Sequence, residues 1–206
     1  MNEKSKIWLQ VPTEIVRNIG FKIDEKSFAV YAYLLYKKFK AFNNSEIDIL
    51  LRDIKAVTGI TDNRTIKKCF LNLHNQGLIS NQLDKLPINK PLQIIMLEPY
   101  KSDYFTQLPL ELLKSLNSIG LIGFRLMYYY ESYINRSNIS KQFCYPSYET
   151  IQIDLGISNF SVTKYNKLLS KEKLLTITKH KAEYDPFGDS GLEKFNNHYS
   201  VNLHNI

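Results

Sequence analysis

The densest run of reactive side chains in the sequence is a series of lysines. Residues 160–181 hold six lysines and one acid, Glu172, which gives a net charge of +5. A smaller group, Arg64, Lys67 and Lys68, gives +3 over residues 64–79 without any acid. Clustered ammonium and guanidinium groups bind phosphates. A solvated helix face explains any one of these cations more simply, so it is their clustering that favours a polyanionic partner.

Catalytic and metal-binding patterns are absent from the sequence. There is no glycine-rich phosphate loop, no Gly-x-Ser-x-Gly and no His-x-x-x-His pair. Four histidines are scattered along the chain, and Cys69 and Cys144 stand 75 positions apart. That spacing provides neither a zinc finger nor a disulfide framework. We expect a protein that is not an enzyme and that carries no cofactor and no metal.

Composition is that of a folded globular protein. The chain has 206 residues, of which 44% are apolar and 23% charged, and its net charge is +7. The first residues contain no apolar signal core, and the longest nearly apolar run, residues 28–36, is far below the ~20 residues that span a bilayer. These features predict a cytoplasmic protein with no membrane partner.

The sequence repeats itself at an offset of about 97 residues. Residues 8–19, WLQVPTEIVRNI, align with residues 105–116, FTQLPLELLKSL. The same offset places Gly59 on Gly156, and downstream it falls to 96, which places Leu73 on Leu169. One residue is therefore inserted between Gly59 and Thr65. Such ordered matches predict two copies of one structural unit.

Hydrophobic periodicity predicts three helices and two strands in each copy. In the first copy these are helices over 28–39, from a capping box at 45–48, and over 62–76, with strands over 78–83 and 92–97. In the second copy they are helices over 122–134, 146–155 and 158–173, with strands over 174–181 and 197–203. The predicted fold class is mainly α with small β-hairpins (α+β), in two domains, residues 1–100 and 101–206. Residues 98–103 are the expected linker.

Two segments match the pattern of a helix, a tight turn and a second helix. In residues 53–60, an apolar residue stands five positions before Gly59, and Ile60 follows to fill the angle between the helices. The glycine tolerates the positive φ of the turn. Residues 149–158 repeat this pattern around Gly156, with Ser158 placed to cap the next helix. A two-stranded hairpin after such a pair completes a winged helix-turn-helix.

Residues 143–151, FCYPSYETI, lead into the second of these segments. Over residues 124–178 the chain resembles winged-helix domains of phage and plasmid replication initiators, and the resemblance is looser over residues 28–79. In such domains the helix after the turn enters the major groove of DNA. The resemblance therefore implies tandem winged helices that bind double-stranded DNA.

The candidate DNA-binding residues are those expected to face outward from the second helix of each pair and from the first hairpin strand. In the first copy they are Asn63, Arg64, Thr65, Lys67, Lys68 and Asn72. In the second copy they are Asn159, Phe160, Ser161, Thr163, Lys164, Lys167, Lys179, His180 and Lys181. Phe160 has two interpretations, a contact to a thymine methyl group or a core aromatic of the second row.

Two further segments bear on partners. Residues 182–195 carry four acids and one lysine, a net −3, and are interpreted as an acidic wing tip that is an ordinary solvated loop. Tyr128, Tyr129, Tyr130 and Tyr133 cannot all face one way on a helix. Some of them are expected in the core, and the others at an interdomain or homodimer contact.

The sequence therefore favours a sequence-specific double-stranded DNA-binding protein, and a plasmid or phage replication initiator over a transcriptional regulator. Its partners would be the DNA and the replication or transcription machinery. The alternative from another class is a winged-helix interaction scaffold of a primosome or condensation complex. The +5 of residues 160–181 disfavours that alternative, because such scaffolds usually carry acidic or neutral helices at this position.

Overall fold

The computed structural model describes residues 6–83, 85–87, 90–101, 103–181 and 195–206 and shows a mixed α and β protein. Its helices are α1 (Thr13–Val16), α2 (Glu25–Lys40), α3 (Leu51–Thr58), α4 (Asn63–Asn75), α5 (Glu111–Lys114), α6 (Leu116–Glu131), α7 (Tyr148–Leu155) and α8 (Asn159–Lys171). Its strands are β1 (Trp8–Pro12), β2 (Glu46–Ile49), β3 (Leu92–Ile95), β4 (Phe105–Pro109), β5 (Leu175–Lys181) and β6 (Phe195–Val201). They pair as three antiparallel two-stranded sheets, β1–β4, β2–β3 and β5–β6.

The helices have the same lengths in the two halves of the chain. Helices α3 and α7 each have 8 residues, and α4 and α8 each have 13. Three residues separate Gly59 from α4, whereas two separate Gly156 from α8. The inserted residue expected from the repeat therefore lies in the turn before α4.

The first copy differs from its predicted elements in two places. The helix expected from residue 45 is wrong there: residues 46–49 form strand β2, and α3 begins only at Leu51. Ile47 and Ile49 alternate with exposed Glu46 and Asp48, which is the two-residue period of a strand. The strand expected over 78–83 is reduced to an isolated bridge between Ile79 and Met96. Strand β3 pairs instead with β2.

Strands β1 and β4 join the two halves in a sheet that we name the central ribbon. Its register places Gln10 opposite Gln107, and the Gln10 Nε2 donates to the Gln107 Oε1 at 3.3 Å. One face, with Leu9 and Leu108, is buried in the core, while both glutamines lie on the exposed face. The ribbon therefore belongs to both copies of the repeat.

Helices α2 and α6 pack against each other beneath this ribbon. The ring of Phe28 lies 5.8 Å from that of Phe124 and 5.5 Å from that of Tyr128, centre to centre. Buried Arg125 places its guanidinium carbon 3.9 Å from the centre of the Phe28 ring and donates to the Ile15 carbonyl at 2.9 Å. Burial lowers the pKa of Arg125 to about 9. One continuous hydrophobic core runs through both halves.

Candidate nucleic-acid interface

The second helix pair consists of α7, the turn 156–158 and α8, and a serine caps the start of each helix. Ser147 Oγ accepts from the Thr150 amide at 3.0 Å at the start of α7, and Ser158 Oγ accepts from the Ser161 amide at 3.3 Å at the start of α8. Between them Gly156 has a φ of 70°, and its amide donates to the Gln152 carbonyl at 2.9 Å. A residue with a side chain is strained at this φ, which explains the glycine.

Burial divides α8 into an inner and an outer side. Val162 and Leu169 are fully buried, whereas Asn159, Phe160, Lys164 and Lys167 are exposed. Phe160 is 79% exposed, so its interpretation as a core aromatic is wrong. The predicted Ser161 and Thr163 are half-buried, and the Ser161 hydroxyl accepts from the Ser158 hydroxyl at 3.1 Å. The outward side of α8 therefore presents two lysines and one aromatic ring to solvent.

The sheet after α8 carries exposed Lys179 and His180 on β5. The His180 ring stacks on His198 of β6 at 3.9 Å, and His198 stacks on Phe143 at 4.2 Å. Burial in this stack, together with the neighbouring His180, lowers the pKa of His198. Lys181 ends β5, but its side chain and the acidic segment expected over 182–195 lie outside the described residues, apart from the backbone of Phe195 in β6.

The first helix pair, α3 and α4 with the turn 59–62, has the same plan. Gly59 has a φ of 71°, and Asp62 caps α4 by accepting from the Thr65 amide and hydroxyl at 2.8 and 2.7 Å. The bond from the Thr65 hydroxyl is the main cause that lowers the pKa of Asp62. Most of the side chains predicted to bind DNA lie exposed on one surface of α4. They are Asn63, Arg64, Lys67 and Lys68.

Asn72 is the predicted residue that the structure separates from this group. It is half-buried, and its amide donates to the Lys22 carbonyl at 3.0 Å. Asn72 thus connects α4 to the loop that precedes α2. This bond to a backbone carbonyl gives the Asn72 amide a role in the fold. The side chains of α4 that face solvent in the predicted group lie nearer the start of the helix.

Residues that sequence reasoning missed hold the second helix pair against the first half. The Asn18 amide donates to the Asp154 carbonyl at 2.9 Å. The Arg17 guanidinium lies 3.7 Å above the Tyr133 ring. Within the second half, the Tyr129 hydroxyl donates to Asp154 Oδ2 at 2.6 Å. The tyrosine cluster was the available signal: Tyr128, Tyr129 and Tyr130 are buried, while Tyr133 is partly exposed at the contact between the halves.

The converse contact holds the first helix pair against the second half. Gly59 approaches Asn117 so closely that a Cβ on the glycine would lie 2.9 Å from the Asn117 Oδ1. Beside it, Val57 of α3 and Leu113 of α5 line an apolar pocket of about 360 Å³. The end of α3, at Gly59, and the end of α7, at Asp154, are therefore each in contact with the segment that follows the first short helix of the other half.

The described part of the chain contains neither a cluster of metal ligands nor a membrane-spanning helix. No three His, Cys, Asp or Glu side chains there come together as the ligands of a metal ion would. Among the same residues, no helix is both long and apolar enough to cross a membrane.

No protein-family model matches this sequence, and no curated protein and no solved structure shows a significant match to it. The function must therefore be inferred from the two helix pairs, their exposed cations and the way the halves hold them.

Proposed function

We propose that the chain is a sequence-specific double-stranded DNA-binding protein built from two tandem winged helices. In this proposal α4 and α8 are the recognition helices, and β2–β3 and β5–β6 form the wings. The observation that carries it is the exposed side of α8, where Lys164, Lys167 and Phe160 follow a glycine turn of left-handed conformation. Lysines would contact phosphates, and the ring would contact a thymine methyl group in the major groove.

A role in replication initiation fits the resemblance of residues 124–178 to phage and plasmid initiators. Nearly all described residues belong to the two repeated units, which leaves no separate ligand-sensing domain among them. Transcriptional regulation uses the same DNA contacts and is the neighbouring alternative. The DNA and the machinery assembled on it would be the partners in either role.

A protein-interaction scaffold is the second candidate, and one observation favours it. Ile153 on α7 is 83% exposed and Phe160 on α8 is 79% exposed, so the second helix pair carries two apolar side chains in water. Exposed apolar groups of this kind are frequent at protein contacts. The surrounding lysines favour DNA as the partner, and salt dependence separates the two candidates.

The test measures affinity at a series of salt concentrations for two duplexes, one of random sequence and one taken from the DNA beside the gene that encodes this chain. If several phosphates are neutralised, the logarithm of affinity falls with the logarithm of salt concentration by about 0.9 per phosphate. Absence of duplex binding even at low salt would refute the proposal. A partner protein captured with little salt dependence would instead support the scaffold.

A charge reversal locates the surface. Lys164→Glu with Lys167→Glu should abolish duplex binding, because two exposed cations become anions beside the phosphates. The thermal midpoint should remain nearly unchanged, since both side chains are exposed. Lys40→Glu with Lys101→Glu is the matched control, because it changes the charge equally at exposed positions outside both helix pairs and their sheets. Normal binding by the first variant would show that α8 is not the recognition helix.

A further inference from the structure

The central ribbon defines how the two halves are related. Gln10 and Gln107 are equivalent residues of the repeat, and they also face each other in the antiparallel ribbon. Trp8 faces Pro109, while Pro12 and Phe105, the repeat equivalents of those two residues, face each other in turn. Only a two-fold rotation between the halves pairs equivalent residues in this reciprocal manner. A simple translation along the chain would leave Gln10 and Gln107 apart.

Helices α2 and α6 provide a second, independent check of this axis. Phe28 and Arg125 are equivalent at the repeat offset of 97, and the guanidinium carbon of Arg125 lies 3.9 Å from the centre of the Phe28 ring. Equivalent residues that touch must lie close to a two-fold axis. The pseudo-two-fold axis therefore passes through the ribbon and through the contact between these helices.

The positions of the two helix pairs about this axis are fixed by reciprocal contacts. The Asn18 amide of the first half donates to the Asp154 carbonyl of the second at 2.9 Å, and the Arg17 guanidinium lies 3.7 Å above the Tyr133 ring. In the other direction, Asn117 of the second half abuts Gly59. Because Gly59 and the end of α7 both contact the opposite half, a change in the relative positions of α4 and α8 would disturb these contacts.

We infer that a single copy of the chain recognises an imperfect inverted repeat of fixed spacing in double-stranded DNA, an inference that rests on the proposed DNA binding. Two recognition helices related by a two-fold axis enter the DNA in opposite directions along its axis. They therefore match two half-sites that are also related by a two-fold axis, as in an inverted repeat, and do not match a direct repeat. The repeat is imperfect because the outward residues differ. Helix α4 presents Arg64 and Lys68, whereas α8 presents Phe160 and Lys164.

Selection from a random duplex library with the full chain tests this inference. The expected outcome is a motif of two similar, non-identical halves related by a dyad, whose centres are separated by one constant spacing of about 10 bp or a multiple of it. Half-motifs in direct repeat, or one half-motif alone, would overturn the inference and leave the proposed DNA binding intact. Failure to bind any duplex at low salt would overturn the proposed function itself.

Spacing variants of the selected duplex then test the reciprocal contacts. In the wild type, lengthening the spacer by 5 bp, about half a turn of DNA, should lower affinity about a hundredfold by removing one half-site from its helix. Asn18→Asp replaces the amide that donates to the Asp154 carbonyl with a carboxylate oxygen and keeps the acceptor for the Arg125 guanidinium. This variant should reduce the penalty several-fold and broaden the range of spacings bound.

Asn43→Asp adds an equal charge at an exposed position away from these contacts and should keep the narrow range of spacings. A merely destabilising change would lower binding to every duplex alike, without altering the preferred spacing. An equally narrow range in Asn18→Asp would overturn the role assigned to these contacts.

Discussion

At the scale of single residues, burial decides which side chains of the helix pairs are available to a partner. The helical period of the sequence placed Lys164 and Lys167 outside and Val162 and Leu169 inside, as the structure has them. Phe160 could not be assigned in this way, because an aromatic ring in the first turn of a helix is compatible with either side. Its 79% exposure depends on what the rest of the chain leaves uncovered there.

Phe160→Ala should weaken binding to the selected duplex several-fold and relax the preference for thymine at one position, because the methyl contact is lost. Its free energy of unfolding should change by no more than about 0.5 kcal/mol, since the ring is mostly exposed. Quantitative binding to duplexes with thymine or uracil at that position measures the effect. Ile153→Ala, equally exposed on α7, is the control and should leave the preference for thymine unaltered.

Asn72 and Asp154 illustrate what the sequence could not provide at this scale. The amide of Asn72 is held by the Lys22 carbonyl, and the carboxylate of Asp154 by the Tyr129 hydroxyl. Both bonds join residues far apart in the chain. No local period or spacing predicts which distant segment lies against a helix.

At the scale of elements, caps and turns were the predictable features. Ser158, Gly59 and Gly156 occupy the positions that their residue types favour at helix ends. The local capping pattern of segment 46–49 predicts the start of a helix, whereas the pairing that makes this segment a strand is with the distant residues 92–95. The alternation of Ile47 and Ile49 with acidic residues instead favours a strand. In the structure both isoleucines are buried and the segment pairs with β3.

A kink in α6 provides a test of how an element is adapted to its neighbour. Gly120 has a φ of 71°, and a Cβ there would lie 2.9 Å from the Tyr165 ring. Gly156 has nearly the same φ, but nothing lies within 4 Å of its Cβ position. A residue with a side chain would be strained by the positive φ at either position. Only at Gly120 would its Cβ also clash with an aromatic ring.

Gly156→Ala should therefore cost about 1–2 kcal/mol, the strain of the left-handed conformation. Gly120→Ala should cost more, because the new methyl group must displace the ring of Tyr165 or the start of α6. Denaturant unfolding of both variants measures the difference. Equal destabilisation would show that Tyr165 moves away freely and that strain alone accounts for the glycine at the kink.

At the scale of the whole molecule, the two copies share one core. The repeat predicted two similar units, and the equal lengths of α3 and α7, and of α4 and α8, agree with it. The sequence alone did not indicate that β1 of one unit pairs with β4 of the other, because sheet partners are chosen by long-range packing. The contact of Phe28 with Phe124 is likewise a property of the assembled pair.

The shared core predicts a single cooperative unfolding transition for the full chain. Trp8, the only tryptophan, lies in the central ribbon, so its fluorescence reports on the junction between the halves. Its unfolding midpoint in denaturant should coincide with that of far-ultraviolet circular dichroism, which reports on the helices of both halves. A separate, earlier fluorescence transition would contradict this prediction by showing that the ribbon opens while the helices persist.

The central ribbon also has a consequence for stoichiometry. Two separate chains, each bearing one unit, could form the same two-fold ribbon only above their dissociation constant. Covalent connection makes the pairing intramolecular, at an effective concentration of about millimolar for short linkers. The two-fold placement of α4 and α8 therefore survives dilution to a few molecules per cell, and occupancy of an inverted repeat rises in proportion to the number of chains, without a prior assembly step.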